Sequence, residues 1–249
     1  MPFFDDGSVR IHYEQTGTGF PLLIIPGGGL NSDLAFMRNG PFDPFATFGG
    51  EYRCIAADLR TAVGGGSSGP LDVERTWDAF ADDQLGLLDH LGVREFAVMG
   101  FCIGGPMSWN LLKRAGDRIR AAVMVQPSGA SAENRGLFVA NNLQGWGPAF
   151  HARNPEVPMA TIERFLARMY AEREDFVFTV SRDFVRGCRQ PVLVLPDDIP
   201  AHPYTTAMES AMLAPSAQVS LFPWKRPPER IPLAIRHIGT FLRAHCPVR

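Results

Sequence analysis

Five short apolar runs, each next to turn-forming residues, constrain the fold of this chain more than any other feature. Pro21-Leu22-Leu23-Ile24-Ile25 leads into Pro26-Gly27-Gly28-Gly29, Cys54-Ile55-Ala56-Ala57 into Asp58-Leu59-Arg60, and Phe96-Ala97-Val98-Met99 into a glycine cluster. Ala121-Ala122-Val123-Met124-Val125 and Pro191-Val192-Leu193-Val194-Leu195 complete the set. A strand with one wet face alternates apolar and polar residues, so an unbroken apolar run implies cover on both faces, as in a parallel sheet. Between Arg75 and Leu91, the residues Trp77, Phe80, Leu85, Leu87, Leu88 and Leu91 recur at helical spacing among Asp and Gln, which is the pattern of an amphipathic helix lying on such a sheet. Further helical stretches run through Leu111-Leu112-Lys113 and from Ile231 to Leu242. Strands alternating with helices predict an α/β fold with a doubly wound, mostly parallel sheet. The alternating stretch Ser8 to Glu14 reads as an edge hairpin, and Val219-Ser220-Leu221-Phe222 as a last short strand.

With 249 residues, 45% of them hydrophobic, the chain suits one domain over 1–249 with a sizeable core, not a disordered or fibrous polymer. Its 24 Lys+Arg balance 26 Asp+Glu without a basic cluster, so no nucleic-acid partner is expected. No apolar run reaches the roughly 18 to 20 residues that span a bilayer, and Met1-Pro2-Phe3-Phe4-Asp5-Asp6 has no basic leader pattern. A cytoplasmic protein without a membrane partner is therefore expected. Cys54, Cys102, Cys188 and Cys246 are scattered singly, with no paired spacing for zinc. Neither metal nor nucleotide cofactor is expected, since the glycine stretches lack the acidic ribose partner of a dinucleotide fold. From Ser128 to Gln190 the strand pattern disappears, with a helix predicted over Thr161 to Glu172. So long an insertion in a compact domain predicts a helical lid over a site.

The strongest chemical signal is Gly100-Phe101-Cys102-Ile103-Gly104-Gly105. Small residues on both sides allow a sharp turn from strand to helix, with the Cys102 side chain projecting from its apex. At a helix N-terminus the free N–H groups and the dipole favour a thiolate, the nucleophilic form of cysteine. The plainer alternative is a small buried hydrophobe in a glycine-rich turn.

With these residues the chain resembles the α/β-hydrolase superfamily, whose nucleophile elbow is G-x-Nu-x-G, usually with serine at its centre. The resemblance extends over nearly the whole chain, from Pro26-Gly27-Gly28 through Asp58-Leu59-Arg60 and Phe80-Ala81-Asp82-Asp83 to the closing Phe241-Leu242. A cysteine nucleophile is a minority variant, similar in kind to dienelactone hydrolases. The resemblance implies an oxyanion hole from the backbone N–H groups of Ile103 and Gly28. It also exposes a departure. Counting back from Phe241 places Trp224, in Phe222-Pro223-Trp224-Lys225, where the family carries the catalytic histidine of a Gly-His loop.

Either the base then comes from elsewhere or the site is not a working triad. Of the six histidines, His12, His90, His237 and His245 read as structural, and His151 lies in the expected lid, where it could approach a substrate. His202 follows the Pro191–Leu195 run on the loop that delivers the acid in the family. Catalytic groups of open parallel sheets gather beyond the carboxyl ends of the strands, so Cys102, His202 and an acid, Asp198 with neighbouring Asp197 as alternative, could converge there. Trp224 and Lys225 could supply an apolar wall and a cation for the substrate, or simply pack and face solvent. The resulting expectation is a hydrolase in which Cys102 attacks an activated ester, thioester or lactone and forms an acyl-cysteine. The aromatic and aliphatic side chains Phe138, Leu143, Trp146 and Phe150 suggest a small-molecule substrate with a hydrophobic part. Two alternatives remain open: a lyase, isomerase or acyltransferase on the same fold, and an inactive ligand-binding relative, favoured by the missing histidine loop.

Overall fold

The computed structural model describes residues 2–247. Its centre is an eight-stranded sheet of β1 (Phe3–Asp6), β2 (Val9–Thr16), β3 (Phe20–Ile25), β4 (Tyr52–Ala57), β5 (Phe96–Phe101), β6 (Ile119–Val125), β7 (Val192–Leu195) and β8 (Ala217–Val219), in the spatial order β1-β2-β4-β3-β5-β6-β7-β8. The first two strands form the antiparallel edge, with Phe3 opposite His12 and Tyr13 opposite Ala57. From β4 through β8 every pairing is parallel.

The unbroken runs keep a period of two even though both faces are dry. Leu23, Ile25, Val98, Met124 and Val194 face one core cluster, together with Trp77, Phe80 and Leu88 of the helix Thr76–His90. Leu22, Ile24, Met99, Val123 and Leu193 face the opposite cluster, with Ile238, Phe241 and Leu242 of the helix Ile231–His245. Cover on both faces is what makes continuous apolar strands stable, since neither face has to meet water. Buried Arg60 donates through Nε to Asp83 Oδ2 at 2.7 Å, tying the loop after β4 to the helix Thr76–His90.

Two boundaries differ from the sequence reading. The last strand is Ala217–Val219, and Leu221 and Phe222 are exposed loop residues. The helix over Thr161 to Glu172 begins earlier, as Met159–Leu166, and passes into a π-helical turn over Ala167–Ala171. Between β6 and β7 the described residues form helices, including Leu137–Gln144, Trp146–Arg153 and Arg182–Gly187, and no strand. Trp146 and Phe150 are buried among them, Trp146 donating through Nε1 to the Thr61 carbonyl at 2.9 Å, so these two rings pack the segment instead of facing a ligand. No helix among the described residues is long and apolar enough to cross a membrane.

The turn after β5 leaves no room for a side chain at Gly100 or Gly105. A Cβ at Gly100 would stand 2.1 Å from the Gly104 carbonyl oxygen, and one at Gly105 would stand 2.4 Å from Pro127 Cβ. The Gly100 clash is with backbone, which cannot swing aside. Gly100→Ala is therefore expected to cost more than about 3 kcal/mol, the upper end of overpacking penalties, and to lower the denaturation midpoint accordingly. An unchanged midpoint in chemical denaturation would show that the turn is looser than this packing implies.

Candidate active site

Parallel register brings the site together. Ile25 pairs with Gly100, Phe101 with Val125, and Val125 with Leu195, so the chain leaves β3, β5, β6 and β7 along one edge. Beyond that edge lie the loop Pro26–Gly29, Cys102, Gln126 to Ser128, and Asp197 to His202. The Cys102 amide donates to the Val125 carbonyl at 3.0 Å and the Gln126 amide to the Leu195 carbonyl at 2.7 Å, which fixes these exits side by side.

Cys102 is half-buried with φ +55, a left-handed conformation uncommon for a residue with a side chain. Immediately after it the helix Gly104–Ala115 begins. Its Sγ lies 3.3 Å from Ser128 Oγ. Gly28, with φ +103, turns its N–H toward the sulfur, and neither this amide nor that of Ile103 is taken by a backbone carbonyl among the described residues.

His202 closes the tight turn Ile199 to His202, in which its amide donates to the Ile199 carbonyl at 2.8 Å. Asn134 pins this turn by donating to the carbonyls of Gly129 and Pro200, at 2.8 Å each. The ring is buried, with Nδ1 3.1 Å from Asp197 Oδ2. On its other side Nε2 is buried without a hydrogen-bond partner among the described residues, and Cys102 is the titratable neighbour on that side whose charge acts on the ring. Hydrogen bonds between catalytic groups are often poorly aligned before substrate binds and tighten afterwards.

The charges follow this geometry. Burial pushes the Cys102 thiol up, but the facing His202, the Ser128 hydroxyl and the Gly28 amide outweigh it and bring its pKa down from 9.0 to about 7. Burial likewise opposes a charged His202, yet Asp197 and Cys102 raise it from 6.5 to about 9. Asp197 is held down at about 2, its burial overcome by His202 and Lys225. The other cysteines behave as inert core residues. Burial pushes Cys54 and Cys246 up to about 12 and raises Cys188 as well. An ion pair of Cys102 thiolate and His202 imidazolium is thus the state expected between about pH 7 and about pH 9.

Several expected site residues lie elsewhere. Asp198 is not the carboxylate beside His202: it points to solvent, while Asp197 turns inward, where two cationic groups meet it. Trp224 is not a pocket wall, because it is buried in the core cluster that includes Phe101 and Leu195. Lys225 does not reach out for a substrate anion. Its Nζ donates to Asp197 Oδ2 at 2.6 Å and to Gln126 Oε1 at 2.7 Å. His151 is occupied within its own segment, Nδ1 bonding the Val157 carbonyl at 2.8 Å.

Two contributors escaped the sequence reading. Ser128 stands just past the carboxyl end of β6, a position the strand-end rule would have singled out. Tyr170 lies buried in the π-helical turn, stacked on Phe138 with ring centroids 5.2 Å apart, and burial, with a smaller influence from Cys102, pushes its hydroxyl up. Such turns are frequent at functional sites. Trp77 Nε1 holds this turn by donating to the Met169 carbonyl at 2.9 Å.

A mostly parallel eight-stranded sheet with a tight strand-to-helix turn at its centre defines a class, and residues 21–221 match the alpha/beta hydrolase fold family. The chain belongs to this family. Over 123 residues, 49% of this chain and 40% of the relative, it is 32% identical to haloalkane dehalogenase 2 of Mycobacterium tuberculosis. Over 152 residues, 57% of this chain and 48% of the relative, it is 26% identical to a 2-hydroxymuconate semialdehyde hydrolase of a Pseudomonas species. The chain thus spans less than half the length of these two curated relatives. The enol-lactonase of Burkholderia xenovorans shares the fold with a TM-score of 0.71 at 20% identity, over 97% of this chain and 100% of that one.

Proposed function

We propose that the protein is a hydrolase that uses Cys102 as nucleophile on an activated ester, thioester or lactone. The observation that carries this reading is the placement of Cys102 at the apex of the strand-to-helix turn, beside Ser128 and the His202–Asp197 pair, with the other three cysteines buried in the core; the lowered pKa of Cys102 agrees with it.

In the proposed reaction the Cys102 thiolate attacks the substrate carbonyl carbon, and the negative charge passes to the carbonyl oxygen. The Ile103 and Gly28 amides receive that oxygen. His202 Nε2–H then gives its proton to the departing alcohol, thiol or enol oxygen, and the carbon–leaving-group bond breaks to give an acyl-cysteine. Neutral His202 next takes a proton from water as its oxygen attacks the acyl carbon, and the carbon–sulfur bond breaks. The acid departs and the ion pair is restored. Asp197 keeps Nδ1 protonated throughout, which fixes the tautomer so that Nε2 faces the reaction.

A thiolate is itself a good leaving group, so the first adduct collapses backward unless the substrate's own leaving group is comparably good. This favours thioesters, enol lactones and activated esters over amides. Support for a hydrophobic substrate part comes from two sides of the site. Phe36, an exposed ring, lies against Gly27 and Gly28 beside Cys102, where a Cβ on either glycine would meet it at 3.2 Å. On the other side Phe138, partly buried, stacks on the core ring of Tyr170, and we read residues 128–190 as a cover over the site.

Turnover of a thioester and enol-lactone panel in 18O-labelled water tests the reading. One 18O atom is expected in the acid product of each substrate turned over. Product without label would redirect the site to lyase, isomerase or acyl-transfer chemistry, and ligand-induced thermal stabilisation without any product would mark a binding protein.

A further inference from the structure

Asp197 serves two cations through one oxygen. Its Oδ2 lies 3.1 Å from His202 Nδ1 and 2.6 Å from Lys225 Nζ, and the Lys225 ammonium is anchored a second time by Gln126 Oε1 at 2.7 Å. Gln126 is itself fixed at the exit of β6. Lys225 is therefore held at the back of the site from two sides, its side chain mostly withdrawn from solvent. A lysine that only carried surface charge would need neither contact.

We propose that Lys225 is a positioning residue that acts through Asp197 on His202: by sharing the carboxylate oxygen, its ammonium lets the imidazole give up its proton as Cys102 becomes acylated and stay neutral for the water step. This rests on the reading of Cys102 and His202 as a catalytic pair. The two halves of the reaction make opposite demands on His202. While Cys102 is a thiolate, its negative charge stabilises the imidazolium that the first half needs. Acylation removes that charge, and the second half needs a neutral ring to take a proton from water. A buried carboxylate devoted to His202 alone would hold the ring protonated through both halves. A fixed positive charge on the same oxygen weakens that hold, by the ordinary Coulomb interaction of like charges a few ångströms apart.

The charged and polar groups around the couple are few. His202 faces Asp197 and Cys102. Asp197 faces His202, Lys225 and the Asp198 amide, and Cys102 faces His202, Ser128 and the Gly28 amide, with the buried Tyr170 hydroxyl within reach of its charge. Lys225 is the only cation in this set, among the described residues, besides His202 itself.

The test is the titration of His202 by 15N NMR in protein whose Cys102 has been capped with iodoacetamide, an uncharged stand-in for the acyl-cysteine. The His202 signal is assigned by its loss in His202→Gln. In Lys225→Met and Lys225→Gln the His202 midpoint is expected to rise by about one pH unit, a tenfold gain in proton affinity, whereas Lys225→Arg stays near wild type. Glutamine keeps an uncharged N–H donor at this position, so it serves as a second neutral variant that isolates the effect of charge if methionine disturbs the fold. Unchanged midpoints in both neutral variants would overturn the proposal, as would an equal shift in Lys225→Arg. No turnover enters the measurement, so its failure leaves the hydrolase reading standing, and failure of that reading is seen separately in substrate reactions.

Discussion

Cys102→Ala is expected to reduce turnover by at least about 10³-fold, with no acyl intermediate, since removal of a nucleophile leaves only the catalysis that binding and an oxyanion site provide. The fold is expected to survive, because Cys102 is half-buried and alanine retains the Cβ that meets the Gly27 loop. Cys102→Ser is a harsher test than it looks. A serine hydroxyl cannot form the ion pair with His202 at neutral pH, so the charge balance around Asp197 and Lys225 would suit it poorly. Steady-state rates on the best substrate of the panel, with thermal denaturation as a folding control, check both variants. More than a tenth of wild-type activity in Cys102→Ala would remove the cysteine from the chemistry.

His202→Ala is expected to move the titration of Cys102 from about 7 to 9 or above and to cut turnover by about 10²- to 10⁴-fold, the range typical of a lost acid–base group. The sign follows from the environment. Burial alone raises a thiol, as it does at Cys54 and Cys246, and His202 is the leading influence that reverses it at Cys102. In wild type the thiolate is lost as pH falls through about 7, and the imidazolium is lost as pH rises through about 9, so the ion pair is confined between them. Iodoacetamide alkylation of Cys102 across pH reads the lower limb. Its midpoint is the quantity to compare, since a thiolate of higher pKa is intrinsically more nucleophilic and partly offsets its scarcity at neutral pH. Equal midpoints in wild type and His202→Ala would show that the two side chains are not coupled.

The parts of this molecule that are written locally could be read from the sequence. Unbroken apolar runs betray strands covered on both faces, and Gly100, Gly104 and Gly105 betray a turn in which backbone meets backbone. The end of the sheet was harder to place, because Leu221 and Phe222 are apolar yet exposed and extend the look of a strand past Val219. The carboxylate beside His202 was harder still. Asp197 and Asp198 are neighbours of identical chemistry, and what distinguishes them is Lys225, 28 residues further along, whose ammonium meets only the first. Trp224 and Lys225, adjacent in sequence, take different places, one ring sunk in the core and the other's ammonium, 5.9 Å from that ring's centre, drawn to Asp197. Such long-range pairings leave no trace in local periodicity. The position of His202 did leave one, since a histidine just beyond a parallel strand lies on the edge where Cys102 also emerges.

The most direct measurement is the mass of the Cys102 peptide after brief mixing with a thioester or enol lactone and an acid quench. A mass gain equal to the acyl group, confined to Cys102 and absent from Cys102→Ala, is the predicted result. It should persist longer in His202→Ala than in wild type, because the base that drives its hydrolysis is gone. Rapid substrate consumption with Cys102 unmodified at every time point, in wild type and in His202→Ala alike, would contradict a cysteine nucleophile.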